Sequence, residues 1–376
     1  MADDDEDDVT GDIPPGPLRR GWTTGACAAA ATRAACEGLA TGYFPDPVEI
    51  ELPSGGRVAF ALAISARAGE GAMAGIVKDA GDDPDVTHGA LVKATVRAGA
   101  PGSGVSFRAG EGVGTVTKPG LPVPPGEPAI NPVPRAMMRK AVDEVAARFG
   151  GSRDLVVEIS IPGGETLALK TMNGRLGIVG GLSILGTTGV VVPYSCAAWI
   201  HAIRSGIDVA RATGLRHLAG ATGSTSEKAV QRLYRLPEAA LIDMGDFAGG
   251  MLKYLRRHPV PRLTIAGGFA KMTKLGQGLL DLHSRAGQVD RAWLADLMRS
   301  AGAPADLIDI CRTANSALQV LKEADKRGVP VGELVARAAW QTAARALEGS
   351  GIELDTTVFD RSGQLIGAHA RPRNRR

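Results

Sequence analysis

The sequence predicts two domains of different class, an N-terminal α+β half built on a mixed sheet with helices and a C-terminal α/β half built on a parallel, Rossmann-like sheet. Three observations lead there. A chain of 376 residues with 44% apolar content makes two buried cores the natural expectation. Short alternating strands follow one another through the first half, whereas from His217 strands alternate with helical stretches. Each later strand also ends in a Gly-containing turn, as connections at the carboxyl edge of a parallel sheet do. The expected boundaries are an acidic tail over 1–17, the α+β domain over 18–192, the Rossmann-like domain over 193–369 and a basic tail over 370–376.

In chain order, the Ala-rich stretch 26–40 reads as a helix that Gly38 and Gly42 help to end, with Thr23 or Thr24 as its cap. Its first amides would then face an anion, or the segment is a capped core helix packed closely through small side chains; spacing alone leaves both readings open. Residues 48–52, the turn Pro53-Ser54-Gly55-Gly56 and residues 58–66 form a hairpin, and 72–77, 91–97 and 105–108 continue the sheet. Gly99, Gly102 and Gly104 lie between strands with no helix after them, which is not how a nucleotide loop is built. A Pro-rich stretch reaching Pro134 should run extended along a surface, with Lys118 at its start and Asn131 near its end as carboxylate and amide contacts for a ligand; a spacer is the alternative. Residues 135–149 have helical spacing with Met137, Met138, Ala141, Val142 and Val145 inward, and 155–161 is a strand.

Residues 176–200 carry no charge, as a membrane span would require, but five glycines from Gly177 to Gly189, Gly180 and Gly181 among them, together with Pro193, interrupt the run. Buried strands with a tight turn are expected there, and Thr187-Thr188-Gly189 can hold an anion through hydroxyls and amides. Cys196 opens the helix into the second half and reads as a small packing residue. Beyond it, the strand ending at Ala221 passes through Thr222-Gly223 into a helix whose Ser224 and Glu227 have capping-box spacing. The strand 240–244 precedes a helix begun by Gly245-Asp246, and 263–268 is a third strand. Ligands of such sheets lie past the strand carboxyl ends, so Gly220, Thr222, Gly223, Asp243 and Asp246 are the candidate cofactor contacts. Lys271 and Lys274 are candidates for binding substrate acids, and 290–300, 304–327 and 331–347 read as cover helices before a closing hairpin over 356–369.

The densest chemistry lies in Lys78-Asp79-Ala80-Gly81-Asp82-Asp83-Pro84-Asp85-Val86-Thr87-His88-Gly89. Pro84 and the glycines bend the segment sharply, so its carboxylates crowd together. A solvated acidic turn is the plain reading; Lys78 and His88 at its edges weigh for a proton-handling loop, with Asp79, Asp82 and His88 as the acid–base candidates and Lys78 as a cation for a ligand carboxylate.

That block, together with Arg20-Gly21-Trp22-Thr23-Thr24-Gly25-Ala26-Cys27, Gly114-Thr115-Val116-Thr117-Lys118-Pro119-Gly120-Leu121, Asn131-Pro132-Val133-Pro134-Arg135 and 177–189, closely resembles the cobalt-precorrin-5B C1-methyltransferase family of the anaerobic-type cobalamin pathway. The likeness runs from about Leu18 to His369. It implies that S-adenosylmethionine donates a methyl group to ring carbon C1 of cobalt-precorrin-5B, giving cobalt-precorrin-6A, with cobalt entering only as part of the substrate. His283-Ser284 matches a His-Ser pair of the family, which makes His283 a candidate substrate contact, whereas Leu282 stands where the family usually has Thr. The family block also favours a ligand-facing role for Thr23 and Thr24.

Charge and composition agree with a small polycarboxylate ligand such as a tetrapyrrole. The net charge is +3, and without the six acids of residues 3–8 it becomes +9, of which four charges are C-terminal arginines. Aromatics are only 4% and no helix carries a dense basic face, which argues against nucleic acid. The four cysteines form no CxxC pair, so neither a disulfide framework nor a protein metal site is expected, and the acidic start lacks a secretory pattern; a reducing, cytoplasmic setting without membrane attachment follows. Homo-oligomerisation is left open. The rival readings are a non-catalytic tetrapyrrole carrier and a nucleotide- or phosphate-dependent enzyme.

Overall fold

The structure, a computed structural model, describes residues 16–370. Most of both expected tails, 1–15 and 371–376, therefore lies outside the described residues. The described chain forms two compact units that divide between Ser195 and Cys196.

In the first unit a five-stranded sheet has the order Ile64–Ala68, Gly71–Val77, Leu91–Ala98, Leu155–Ser160, Val105–Ala109. Its first three pairings are antiparallel and the last is parallel. Alternation decides which face is covered: Ala74 and Ile76 on one strand and Val92, Ala94 and Val96 on the next are all buried beneath the helix Thr24–Thr41. That helix is buried from Thr24 to Gly38 on every side, which its alanines permit because small side chains let the backbone approach both the sheet and the helix Pro132–Phe149. The second helix starts three residues before the expected Arg135, since Pro132 and Pro134 fall in its first turn, where no amide needs an intrahelical partner. Its predicted inward residues, Met137 to Val145, are buried.

Three expectations change here. The strand expected over 58–66 is two strands, Arg57–Phe60 in a hairpin with Val48–Glu51 and Ile64–Ala68 in the main sheet. The uncharged run 176–200 is mostly loop: before the helix Cys196–Ala212 its strands are only Ile178–Val179, paired with Thr115–Val116, and Val190–Val191, paired with Gly21–Trp22. Its glycines favour turns over long strands, and Val179, Leu185 and Val192 stay exposed. Cys196 is also exposed, so it does not pack as expected.

The second unit has a five-stranded sheet ordered Leu241–Asp243, His217–Ala221, Arg262–Gly268, Glu353–Phe359, Leu365–Ala370, with the first four strands parallel and the last antiparallel. Neighbouring residues face opposite cores: Leu218 and Ile265 join the large cluster with Ile203, Leu252 and Met272, whereas Ala219 and Ala266 join a smaller one with Ala229 and Val230. Burial on both faces explains the near-continuous apolar character of these strands. The expected capping box does not form. The helix Ser224–Tyr234 begins on Gly223, Ser224 is its exposed first residue, and Ser226 Oγ donates to the Gly223 carbonyl instead. The segment expected as one helix over 304–327 is two, Ala305–Thr313 and Ala317–Lys326, with Ser316 capping the second through the Gln319 amide.

Candidate functional site

Two groups of candidate residues emerge, one in each unit. In the first unit, sequence-distant segments converge at the N-terminal end of the Thr24–Thr41 helix. The Trp22 amide donates to Asp79 O at 2.7 Å, the Thr23 amide to Gly189 O at 3.0 Å and the Gly25 amide to Leu185 O at 3.0 Å. Gly21 lies so close to the acid-rich loop that a Cβ there would sit 2.0 Å from the Ala80 carbonyl carbon. Segments 19–25, 78–89 and 185–194 therefore form one layer of backbone.

Thr23 caps the helix through the Ala26 amide at 3.1 Å, as its spacing predicts. Thr24 Oγ1 both donates to Leu185 O and accepts from Leu185 N. Both hydroxyls and the first-turn amides of Gly25 and Ala26 are thus engaged within the protein, and the helix start clamps the 185–189 segment rather than opening toward an anion. Thr188 Oγ1 accepts from Val190 N within its own turn, while Thr187 is exposed beside it. Cys27, buried just inside the helix, has its thiol pushed up to about 12 by burial, against a smaller opposing pull from Lys78, so it remains a thiol.

The acid-rich loop is closed at its neck by the Lys78 amide on Ala90 O and the Gly89 amide on Lys78 O. Sequence reasoning expects Lys78 to face a ligand carboxylate; instead it is only 1% exposed and its Nζ donates to Asp85 Oδ2 at 2.6 Å. An ammonium so deeply buried requires a partner, and the loop supplies its own. Asp85 Oδ1 also accepts from the amide and hydroxyl of Thr87. Burial pulls the Asp85 carboxyl upward, but Lys78 and Thr87 outweigh it and the net shift is downward.

The other carboxylates are engaged as well. Arg19 makes a two-pronged ion pair with Asp79, and its amide donates to Asp82 Oδ2 at 2.6 Å. The Arg19 hydrogen bond, helped by the Gly81 amide, holds the Asp79 carboxyl down at about 2. Asp83 Oδ1 accepts from the amide of Tyr194, a residue held at φ 55°. Gly81 has φ 69°, and a Cβ there would meet Arg19 O at 2.1 Å, so only glycine lets the loop lie against the Arg19 backbone. His88 is half-exposed, and its Nδ1 accepts from the Ala80 amide at 3.1 Å. Arg19 and Tyr194 were not singled out in the sequence: they lie 60 and 111 residues from their carboxylates, and no local spacing signals such pairs.

Lys118 and Asn131 sit in neighbouring loops of the same unit. Lys118 Nζ donates to Arg175 O at 3.4 Å with its stem against Gly177, and the Asn131 amide donates to Ile184 O at 2.9 Å while its side chain caps no helix amide. The glycine loop 99–104 encloses an anion of the protein itself: the Gly102 and Gly104 amides donate to Asp154 at 2.9 and 2.7 Å, lowering that carboxyl.

In the second unit the candidates gather at the carboxyl ends of the parallel strands. The Thr222 amide donates to Ala266 O, and Lys271 Nζ reaches Thr222 O at 3.2 Å and Asp246 Oδ1 at 3.2 Å. Asp246 Oδ1 is buried and, although within ion-pair range of Lys271, lacks a hydrogen bond of good geometry. Lys271 and Lys274, the candidates for binding substrate acids, are both buried, Lys274 on Leu282 O at 3.0 Å. Asp243 is the last residue of its strand, with its carbonyl accepting from Trp199 Nε1. Gly223 is buried at the start of the next helix. Gly220 serves packing instead of a ligand: a Cβ there would strike Met251 Sδ at 2.4 Å. His283 follows Leu282, whose amide donates to Asp246 O, and its Nδ1 accepts from the Arg285 amide. Among the described residues no cluster of His, Cys, Asp or Glu could hold a metal ion, and no helix is long and apolar enough to cross a membrane.

A profile described as CbiD matches residues 14–193, and one described as CbiD, C-terminal domain, matches residues 281–370. The cobalt-precorrin-5B C(1)-methyltransferase of Bradyrhizobium sp. (strain BTAi1 / ATCC BAA-1182) is 69% identical over 366 residues, covering 96% of this chain and 97% of its own. The chain belongs to the cobalt-precorrin-5B C(1)-methyltransferase family. The like-named protein of Agrobacterium fabrum is 63% identical over 93% of this chain and 92% of its own. A crystal structure described as a cobalamin biosynthesis protein (cbiD) from Archaeoglobus fulgidus is 27% identical, covering 72% of this chain and 83% of that one, with a TM-score of 0.39. The CbiD profile spans every segment that meets at the helix start, from Arg19 to Gly189. In this member of the cobalt-precorrin-5B C(1)-methyltransferase family, Leu282 is fully buried in the large core, and both of its backbone polar groups are used.

Proposed function

We propose that the protein is an S-adenosylmethionine-dependent C-methyltransferase that methylates ring carbon C1 of cobalt-precorrin-5B, giving cobalt-precorrin-6A. The observation that carries this reading is the 69% identity to a cobalt-precorrin-5B C(1)-methyltransferase across 97% of its length.

The second unit supports a donor role. Its parallel strands end in turns, and a buried carboxylate oxygen of Asp246 has an unfilled hydrogen-bonding capacity. The donor molecule carries an ammonium and ribose hydroxyls, which are the groups a carboxylate accepts, so the residues present suit it. Thr222, Gly223, Asp243 and Asp246 would hold it in a Rossmann-like manner, past the strand ends. When bound, it supplies an electrophilic methyl on a positively charged sulfur, and the carbon–methyl bond forms as the sulfur–methyl bond breaks. Lys271 ties the 222 turn to Asp246 and so fixes the shape of this edge.

The first unit supports a substrate role. A polycarboxylate macrocycle would be repelled by four bare aspartates; Arg19 and Lys78 neutralise Asp79 and Asp85, and backbone amides occupy Asp82 and Asp83. Arg20 is an exposed cation in this layer of segments, to which Thr187 and half-exposed His88 also belong. Such a rigid rim orients a planar guest and holds its side chains, which is how positioning lowers the barrier to methyl transfer. Cobalt belongs to the substrate.

Calorimetry tests the reading. Binding of S-adenosylhomocysteine in preference to ATP is expected. ATP preference would favour phosphate chemistry, and macrocycle binding without donor affinity would favour a carrier; either result overturns the proposal.

A further inference from the structure

We infer that His88 acts on the substrate as a hydrogen-bond donor through Nε2 and is not the proton acceptor of the reaction. This rests on the reading that the 79–89 loop faces the macrocycle.

The Ala80 amide points its N–H at His88 Nδ1 over 3.1 Å. An amide nitrogen cannot accept a hydrogen bond, so Nδ1 must keep its lone pair to receive that proton. In the neutral ring the remaining proton is then on Nε2. The backbone holds this arrangement in place: the His88 amide donates to Asp85 O at 2.9 Å, and Gly89 closes the loop neck on Lys78. Asp79 Oδ1 lies 3.9 Å from Nδ1, too far for a hydrogen bond, and that oxygen already accepts from Arg19 and the Gly81 amide. No residue among those described takes up Nε2, and the ring is 53% exposed.

A base at this position would need a free lone pair facing the ligand, and the loop offers none on its ring. Asp79, held at about 2 under Arg19, is an equally poor acceptor, and Asp82 Oδ2 already accepts from the Arg19 amide. The acidic loop therefore presents a neutral N–H. That group suits a carboxylate or carbonyl oxygen on the rim of the guest.

Two substitutions separate the roles. His88→Gln keeps an N–H close to the place of Nε2 but has no basic atom, whereas His88→Asn keeps an acceptor for the Ala80 amide and loses the distal donor. The donor role predicts turnover within about threefold of the parent for His88→Gln and a loss of roughly tenfold or more for His88→Asn, the scale of one hydrogen bond to a charged group. Equal, deep losses in both variants, with unchanged thermal unfolding, would overturn the donor role while leaving the loop at the substrate. Unchanged turnover in both would overturn the placement of the loop itself. Long-range proton–nitrogen spectra of the intact enzyme give an independent check: the neutral ring should carry its proton on Nε2, and a proton on Nδ1 would refute the inference whatever the variants do.

Discussion

Removing either partner of the Lys78–Asp85 pair should destabilise the first unit, and by different amounts. Lys78 is 1% exposed and donates to Asp85 over 2.6 Å, while Asp85 also holds the Thr87 amide and hydroxyl at 2.7 and 2.6 Å. Lys78→Met leaves a carboxylate that keeps two hydrogen bonds and partial exposure, so its cost belongs at the lower end for a broken buried pair, about 3 kcal/mol. Asp85→Ala strands an ammonium with no route to water and frees both Thr87 groups, so about 5 kcal/mol is expected. For a unit of this size about 3 kcal/mol lowers the melting temperature by about 6–12 °C. Urea unfolding of both single variants and of the Lys78→Met/Asp85→Leu double variant measures this, and the double variant should lose less than the two single losses combined. The reasoning fails if Asp85→Ala proves milder than Lys78→Met, or if the two losses simply add.

Further outcomes follow from the same geometry. Asp79 has a folded-state carboxyl at about 2, below its unfolded value near 3.9, so its stabilising contribution is complete above that unfolded value and fades as pH falls toward 2; in Arg19→Met a carbon-detected titration should find Asp79 back near its ordinary value. Gly81→Ala, at φ 69° and 2.1 Å from Arg19 O, should cost at least about 1 kcal/mol and separate the loop from Arg19, read as lost turnover together with lower thermal stability. Asp246→Asn should weaken S-adenosylhomocysteine binding by roughly tenfold in calorimetry, with the macrocycle affinity of the first unit unchanged. Asp154→Ala should loosen the 99–104 loop, read as faster amide exchange at Gly102 and Gly104, and leave methyl transfer intact.

What the sequence revealed was local and periodic. The alternation of Ile76 with Ala74, the alanine repeat before Gly38 and the strand–turn–helix rhythm after His217 each mark an element because burial imposes its period on the residues. The crowding of charge over 78–88 likewise marked the segment that meets the helix start. Partners were not legible. Nothing within a short window shows that Arg19 serves Asp79 or that Lys271 is spent on Asp246, since those pairings are set by how distant backbone segments stack, and the Lys78–Asp85 pair depends on how the loop between them folds back. The same limit explains the misplaced cap at Ser224: the spacing was right for a capping box, but the strand leaves through an extended Gly223, which takes the cap position first. An uncharged stretch such as 176–200 is ambiguous for the opposite reason, because apolar residues without a period fix no conformation and its glycines turned it into loop.

The most direct test is anaerobic turnover of cobalt-precorrin-5B with a donor carrying a carbon-13 methyl group. The account predicts one labelled methyl in the product, attached to ring carbon C1, formed in step with S-adenosylhomocysteine. Label appearing at another ring position, or macrocycle recovered unmethylated from folded enzyme that binds both ligands, would contradict it.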